Sequence, residues 1–125
     1  MLENEEYIQT FVEEAKIHVE TVEDSLVNIN LDAIDPEQIN TIFRAVHSIK
    51  GSAGFFDLTK VVELSHCMEN LFGEIRNQKL QFVGEMVDIL LGANDCLKSM
   101  VDDVLNSHNV EISNYVRDIS RFLKE

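Results

Sequence analysis

The stretch Asp35-Pro36-Glu37-Gln38-Ile39-Asn40-Thr41-Ile42-Phe43-Arg44-Ala45-Val46-His47-Ser48-Ile49-Lys50 opens as a helix start and continues as a helix face. Asp35 is a capping residue, Pro36 suits the first helical position, and Gln38 is placed to complete a capping box. Apolar residues then recur at Ile39, Ile42, Phe43, Val46, Ile49 and Ala53, the spacing of one buried helical face. Gly54-Phe55-Phe56-Asp57 ends the pattern. The same period runs outward in both directions. Before Asp35 it falls at Ile8, Phe11, Val12, Ala15, Val19, Val22, Leu26 and Ile29. After the break it falls at Val61, Leu64, Met68, Leu71, Phe72 and Ile75, up to a turn at Asn77 to Leu80. A fourth stripe runs Phe82, Met86, Ile89, Leu90, Ala93, Leu97, Met100, Val104 and Leu105, and breaks at Ser107 to Asn109. Ile112, Tyr115, Val116, Ile119, Phe122 and Leu123 make a shorter fifth. Short loops make successive helices antiparallel neighbours. The expected fold is therefore all-α: an antiparallel four-helix bundle with an additional C-terminal fifth helix.

The chain has 125 residues, the size of a single domain spanning 1–125. Apolar residues are 45% and charged residues 26%, an ordinary balance for a folded chain. The net charge of −13 opposes binding to nucleic acid and to anionic membranes. No apolar run approaches the ~18 residues that a membrane span needs. The acidic start Met1-Leu2-Glu3-Asn4-Glu5-Glu6 lacks the basic and then apolar pattern of a signal peptide, so a cytoplasmic location is expected. Cys67 and Cys96 make no disulfide framework and read as reduced thiols on apolar helix faces.

One segment departs from ordinary bundle surface: Arg44-Ala45-Val46-His47-Ser48-Ile49-Lys50-Gly51-Ser52-Ala53-Gly54. With Val46 at the stripe centre, His47 lies about 100° away, Gly54 about 80° and Gly51 about 140°. Glycine inside a helix costs ~1 kcal/mol relative to alanine. Two of them, four and seven residues beyond one histidine, clear side chains from the surface beside its ring, as the close approach of another molecule requires. Lys50, three residues on, brings an ammonium to the same place. On the third helix, with Met68 at the centre, Glu69 lies at about 100° and His66 at about 160°. Antiparallel pairing of the two helices sets His47 level with His66 and Glu69 to within about one turn, which makes a His47–Glu69 hydrogen bond geometrically reasonable.

Such a pair has a specific chemistry. Imidazole has an unperturbed pKa of ~6.5, so a neutral ring carries one N–H and one free lone pair. A carboxylate accepting from Nδ1–H fixes the tautomer and leaves Nε2 as nucleophile. Phosphoryl transfer needs an in-line nucleophile and cations that balance phosphate charge. Lys50 supplies one cation, and His66 is a candidate hydrogen-bond donor to phosphate or water.

The segment His47-Ser48-Ile49-Lys50-Gly51-Ser52-Ala53-Gly54 resembles the H-x-x-K-G-x-x-G signature of histidine-containing phosphotransfer (HPt) domains. Phe43-Arg44-Ala45-Val46 before it and His66-Cys67-Met68-Glu69-Asn70-Leu71 after it resemble the phosphotransfer domain of CheA-type chemotaxis histidine kinases. The resemblance implies a phosphoryl carrier of two-component, chemotaxis-type signalling. It implies His47 as the phosphorylated residue, Glu69 as its hydrogen-bond partner, and Lys50 and His66 as supporting residues. The partners implied are the ATP-binding domain of a histidine kinase, which uses Mg·ATP, and the receiver domain of a response regulator. Gly51 and Gly54 would lie under the docked partner. No Gly-rich nucleotide loop is present, so no cofactor is expected in the chain itself and it is expected to accept and donate phosphate without hydrolysing ATP.

Two rival readings come from other classes. A metal-binding bundle would use His47, His66, Glu69 and Cys67. However, His-x-x-Glu occurs once where bundle metal sites carry Glu-x-x-His twice, so no metal is expected. A passive acidic adaptor would bind a basic partner and leaves the His-Lys-Gly-Gly face unexplained.

Overall fold

The computed structural model describes residues 2–123, with side chains from residue 5. Five α-helices run in order: α1 (Leu2–Val27), α2 (Pro36–Phe55), α3 (Thr59–Arg76), α4 (Gly84–Asp102) and α5 (Ser113–Leu123). A 3₁₀ segment, Val104–Asn109, separates α4 from α5, and no strand occurs among the described residues. α1, α2, α3 and α4 close a ring in which each helix packs on the next and α4 returns to α1. α5 lies outside the ring against α3 and α4.

Local chemistry sets the helix ends. The Asp35 carboxylate accepts from the Glu37 N–H at 3.0 Å and caps α2, with Pro36 at its first position. Gln38 does not complete the expected capping box. Its side-chain amide donates instead to the Ser25 carbonyl at 3.1 Å, tying the start of α2 to the end of α1. At the end of α2, Leu58 N–H bonds to the Ala53 carbonyl and Asp57 N–H to that of Gly54, a Schellman closure with Asp57 at φ 57°. The end of α3 repeats the device: Lys79 to Glu74, Gln78 to Ile75, and Gln78 at φ 61°. These two tight reversals make α2–α3 and α3–α4 hairpins.

The stripes read from the sequence meet in one core. Val22, Ile42, Val46, Leu64, Met68, Phe72, Leu90, Leu97 and Met100 are wholly shielded from solvent. Burying each large aliphatic side chain contributes roughly 1.5–3 kcal/mol. Cys67 and Cys96 are buried free thiols, and burial pushes both above the ordinary thiol pKa. The fourth stripe is corrected in one respect. α4 stops at Asp102, Val104 and Leu105 belong to the 3₁₀ segment, and Leu105 is exposed. The Asp103 backbone leaves helical geometry at φ −134° and ψ 64°, and the Asn106 N–H then bonds to the Asp103 carbonyl at 3.1 Å in a 3₁₀ turn, so the α-helix ends there. No helix among the described residues is long and apolar enough to cross a membrane.

Candidate functional site

α2 and α3 pack along their length, and that register builds the site. Three points of contact run in opposite order along the two helices: Phe43 with Arg76, Phe43 with Gly73, and His47 and Lys50 with Glu69. The order shows that the helices are antiparallel. The second half of α2 is therefore level with the middle of α3, and Glu69 faces the His47 edge.

His47 is exposed, with 61% of its side chain accessible, whereas the Glu69 side chain is 9% accessible. Nδ1 of His47 is hydrogen-bonded to Glu69 Oε2. Lys50 Nζ donates to the other oxygen, Oε1, at 2.6 Å. Both carboxylate oxygens are thus engaged. Burial alone would push the Glu69 carboxyl up. Hydrogen bonds from Lys50 and His47, with the Lys50 charge, outweigh it and hold the group below the usual carboxylate range. Glu69 is therefore an anion at neutral pH, and an anion can only accept. In neutral His47, Nδ1 is then the donor and Nε2 keeps its lone pair on the solvent side of the ring.

The expected residues do not all converge. His47, Lys50 and Glu69 form one hydrogen-bonded group. His66 is exposed one turn before Glu69 on α3 and lies outside that group. Lys50 is half-buried and committed to Glu69 in this state, so its ammonium is not standing free for phosphate. Gly51 and Gly54 are exposed, and a Cβ built on either meets nothing within 4 Å. They are not helix-packing glycines. They leave the surface beyond His47 bare. The metal reading lacks a geometry: Glu69 is occupied by Lys50 and His47, and no group of three or more potential ligands occurs among the described residues.

From sequence, Phe43 has a place only in the apolar stripe and in the resemblance, and Arg76 has none. The Phe43 ring, one turn before His47, lies parallel to the imidazole within 5°, with centroids 6.3 Å apart. The Arg76 guanidinium carbon stands 4.0 Å from the Phe43 centroid. The signal was present in the spacing. Arg76 is seven residues beyond Glu69 and Phe43 four before His47, so the register that joins Glu69 to His47 also joins Arg76 to Phe43.

The family model of the Hpt domain matches residues 6–107. The chain is 34% identical over 110 residues to the chemotaxis protein CheA of Salmonella typhimurium, covering 88% of this chain but 16% of that protein. It therefore spans only about a sixth of the length of this relative. Among solved structures, the CheA phosphotransferase domain from Thermotoga maritima superposes with a TM-score of 0.74 at 31% identity, covering 80% of this chain and 95% of that one. The phosphorylated P1 domain of CheA3 in complex with CheY6 from R. sphaeroides gives a TM-score of 0.79 at 26% identity, covering 94% and 98%. An exposed, carboxylate-paired histidine on a glycine-cleared helix of a four-helix ring and a family match over most of the sequence lead to one assignment: the chain belongs to the Hpt domain family.

Proposed function

We propose that the chain is a phosphoryl carrier in a chemotaxis-type two-component pathway, with residues 1–125 acting as one phosphotransfer domain of a cytoplasmic CheA-like kinase. The observation that carries the reading is the pairing of exposed His47 with buried Glu69 through Nδ1, which leaves Nε2 as the outward nucleophile. In the first step the Nε2 lone pair attacks the γ-phosphorus of ATP held with magnesium by a separate kinase domain. The bond from phosphorus to the bridging oxygen breaks and ADP leaves. Phosphorylated His47 retains its Nδ1–H, and positive charge developing on the ring is balanced by Glu69. In the second step an aspartate of a response-regulator receiver domain attacks the same phosphorus. The P–N bond breaks and Nε2 recovers its lone pair.

The remaining residues serve these steps. Lys50 offsets the buried Glu69 charge in the resting state, and its position one turn from His47 lets its ammonium balance phosphate charge once the ring is modified. Exposed His66 lies on the neighbouring helix as a supporting donor. Gly51 and Gly54 form the bare surface that a partner must press against. The likeness to a phosphorylated P1 domain bound to CheY6 supports a receiver domain as the acceptor.

The test is labelling with a CheA-type kinase domain and Mg·ATP. The wild-type chain is expected to gain one acid-labile, base-stable phosphate, and a folded His47→Gln variant none. Label in that variant on His18, His66 or His108 would overturn the assignment.

A further inference from the structure

We infer that Arg76 is a positioning residue for His47, acting through Phe43: its guanidinium holds the phenyl ring that fixes the plane of the imidazole. The inference rests on the phosphocarrier reading and adds to it a residue outside the His47–Glu69–Lys50 group.

Glu69 fixes one atom of the imidazole, Nδ1. That hydrogen bond and the covalent Cβ–Cγ bond set the mean orientation of the ring, but His47 is exposed, so little packing limits its excursions from that orientation. Nε2 must nevertheless point along one line, because transfer requires the nucleophile in line with the breaking bond. The second restraint is the Phe43 ring, parallel to the imidazole within 5° and offset at 6.3 Å, inside the range of favourable aromatic pairs.

Phe43 is itself only half-buried and needs holding. α3 does so at two points one turn apart. At Gly73 the phenyl edge lies against the helix, where a Cβ would come to 3.4 Å from Phe43 Cε2. At Arg76 the guanidinium covers the ring at 4.0 Å, well within cation–π range. Arg76 forms no ion pair among the described residues, although the chain carries 23 acidic groups. Its contact is with the phenyl ring, and that ring lies parallel to the imidazole.

The experiment compares the wild-type chain with Arg76→Ala, Arg76→Lys and Phe43→Leu. The first measurement is made on unphosphorylated protein. NMR shifts of the His47 ring protons report the ring current of a stacked phenyl, and Phe43→Leu sets the value without it. Arg76→Ala is expected to move these shifts toward the Phe43→Leu value, and Arg76→Lys to restore part of the difference. The second measurement is phosphoryl uptake from a CheA-type kinase domain with Mg·ATP. Arg76→Ala is expected to lower kcat about 2- to 5-fold, the loss expected of one exposed cation–π contact, with KM for the chain unchanged. Unchanged ring shifts in Arg76→Ala overturn the inference, as does a raised KM with kcat intact, which would make Arg76 a docking residue. A wild-type chain that takes no phosphate on His47 defeats the phosphocarrier reading instead, and the ring shifts still decide whether Arg76 holds the stack.

Discussion

Glu69 has two loads at once: it accepts from Nδ1 of His47 and from the Lys50 ammonium, and it does so while almost wholly buried. Both loads depend on its charge. Glu69→Gln keeps the shape but cannot balance an imidazolium-like ring, so phosphoryl uptake is expected to fall by about 10- to 100-fold, the scale of losing a partner that orients a reactive group. KM for the kinase domain should hold. The same charge sets a pH dependence. The folded-state pKa of Glu69 lies below its unfolded value, so its contribution to stability is fully present above the unfolded carboxyl pKa of ~4.3. That contribution is lost as pH falls through the lower folded value. Below about pH 4 the difference in thermal midpoint between wild type and Glu69→Gln should therefore shrink as pH falls. A difference that still grows there would reverse the sign of the assigned shift.

At the scale of the element, α2 carries two glycines that a stable helix has no use for. Each costs ~1 kcal/mol relative to alanine, and neither lies against a neighbour. Gly51→Leu should therefore leave the melting temperature unchanged or raise it, while the new side chain fills the approach to His47 and slows transfer to the receiver domain. Melting and transfer rate on this one variant separate the two effects. A destabilised variant with normal transfer would return Gly51 to a packing role. The apolar period of this helix suffices to read off its buried face, the edge position of His47 and the bareness of Gly51 and Gly54. Gln38 was not legible, because its partner, the Ser25 carbonyl, is set by how α1 ends. The end of α4 was not legible either. Val104 and Leu105 keep the apolar period, although the backbone has already turned at Asp103, at φ −134° and ψ 64°. Periodicity reports which residues suit a face and is silent on where the backbone turns away from it.

The whole molecule divides its labour between two pairs of helices. α2 and α3 hold every member of the His47 group, while α4 contributes only to the core and its cover. This division was half legible: antiparallel pairing placed Glu69 opposite His47. The same reasoning also brought His66 level with the ring, because axial level is set by register whereas facing is set by helix rotation. His66 lies about 60° further from the stripe centre than Glu69, enough to put it in solvent outside the group. The division gives a prediction about Leu97, which is wholly buried on α4. Leu97→Ala removes core volume that the ring of helices cannot fully reclaim and should cost about 2–5 kcal/mol. If residues 1–125 form one cooperative unit, the loss should appear as a single transition, shifted to lower denaturant with its slope unchanged. Leu97 lies on α4, outside the His47–Glu69–Lys50 group, so the folded fraction should take up phosphate at the wild-type rate when assayed well below its midpoint. Two separated transitions, or a slowed rate in fully folded protein, would show that α4 does more than support the core and that the site extends beyond the α2–α3 pair.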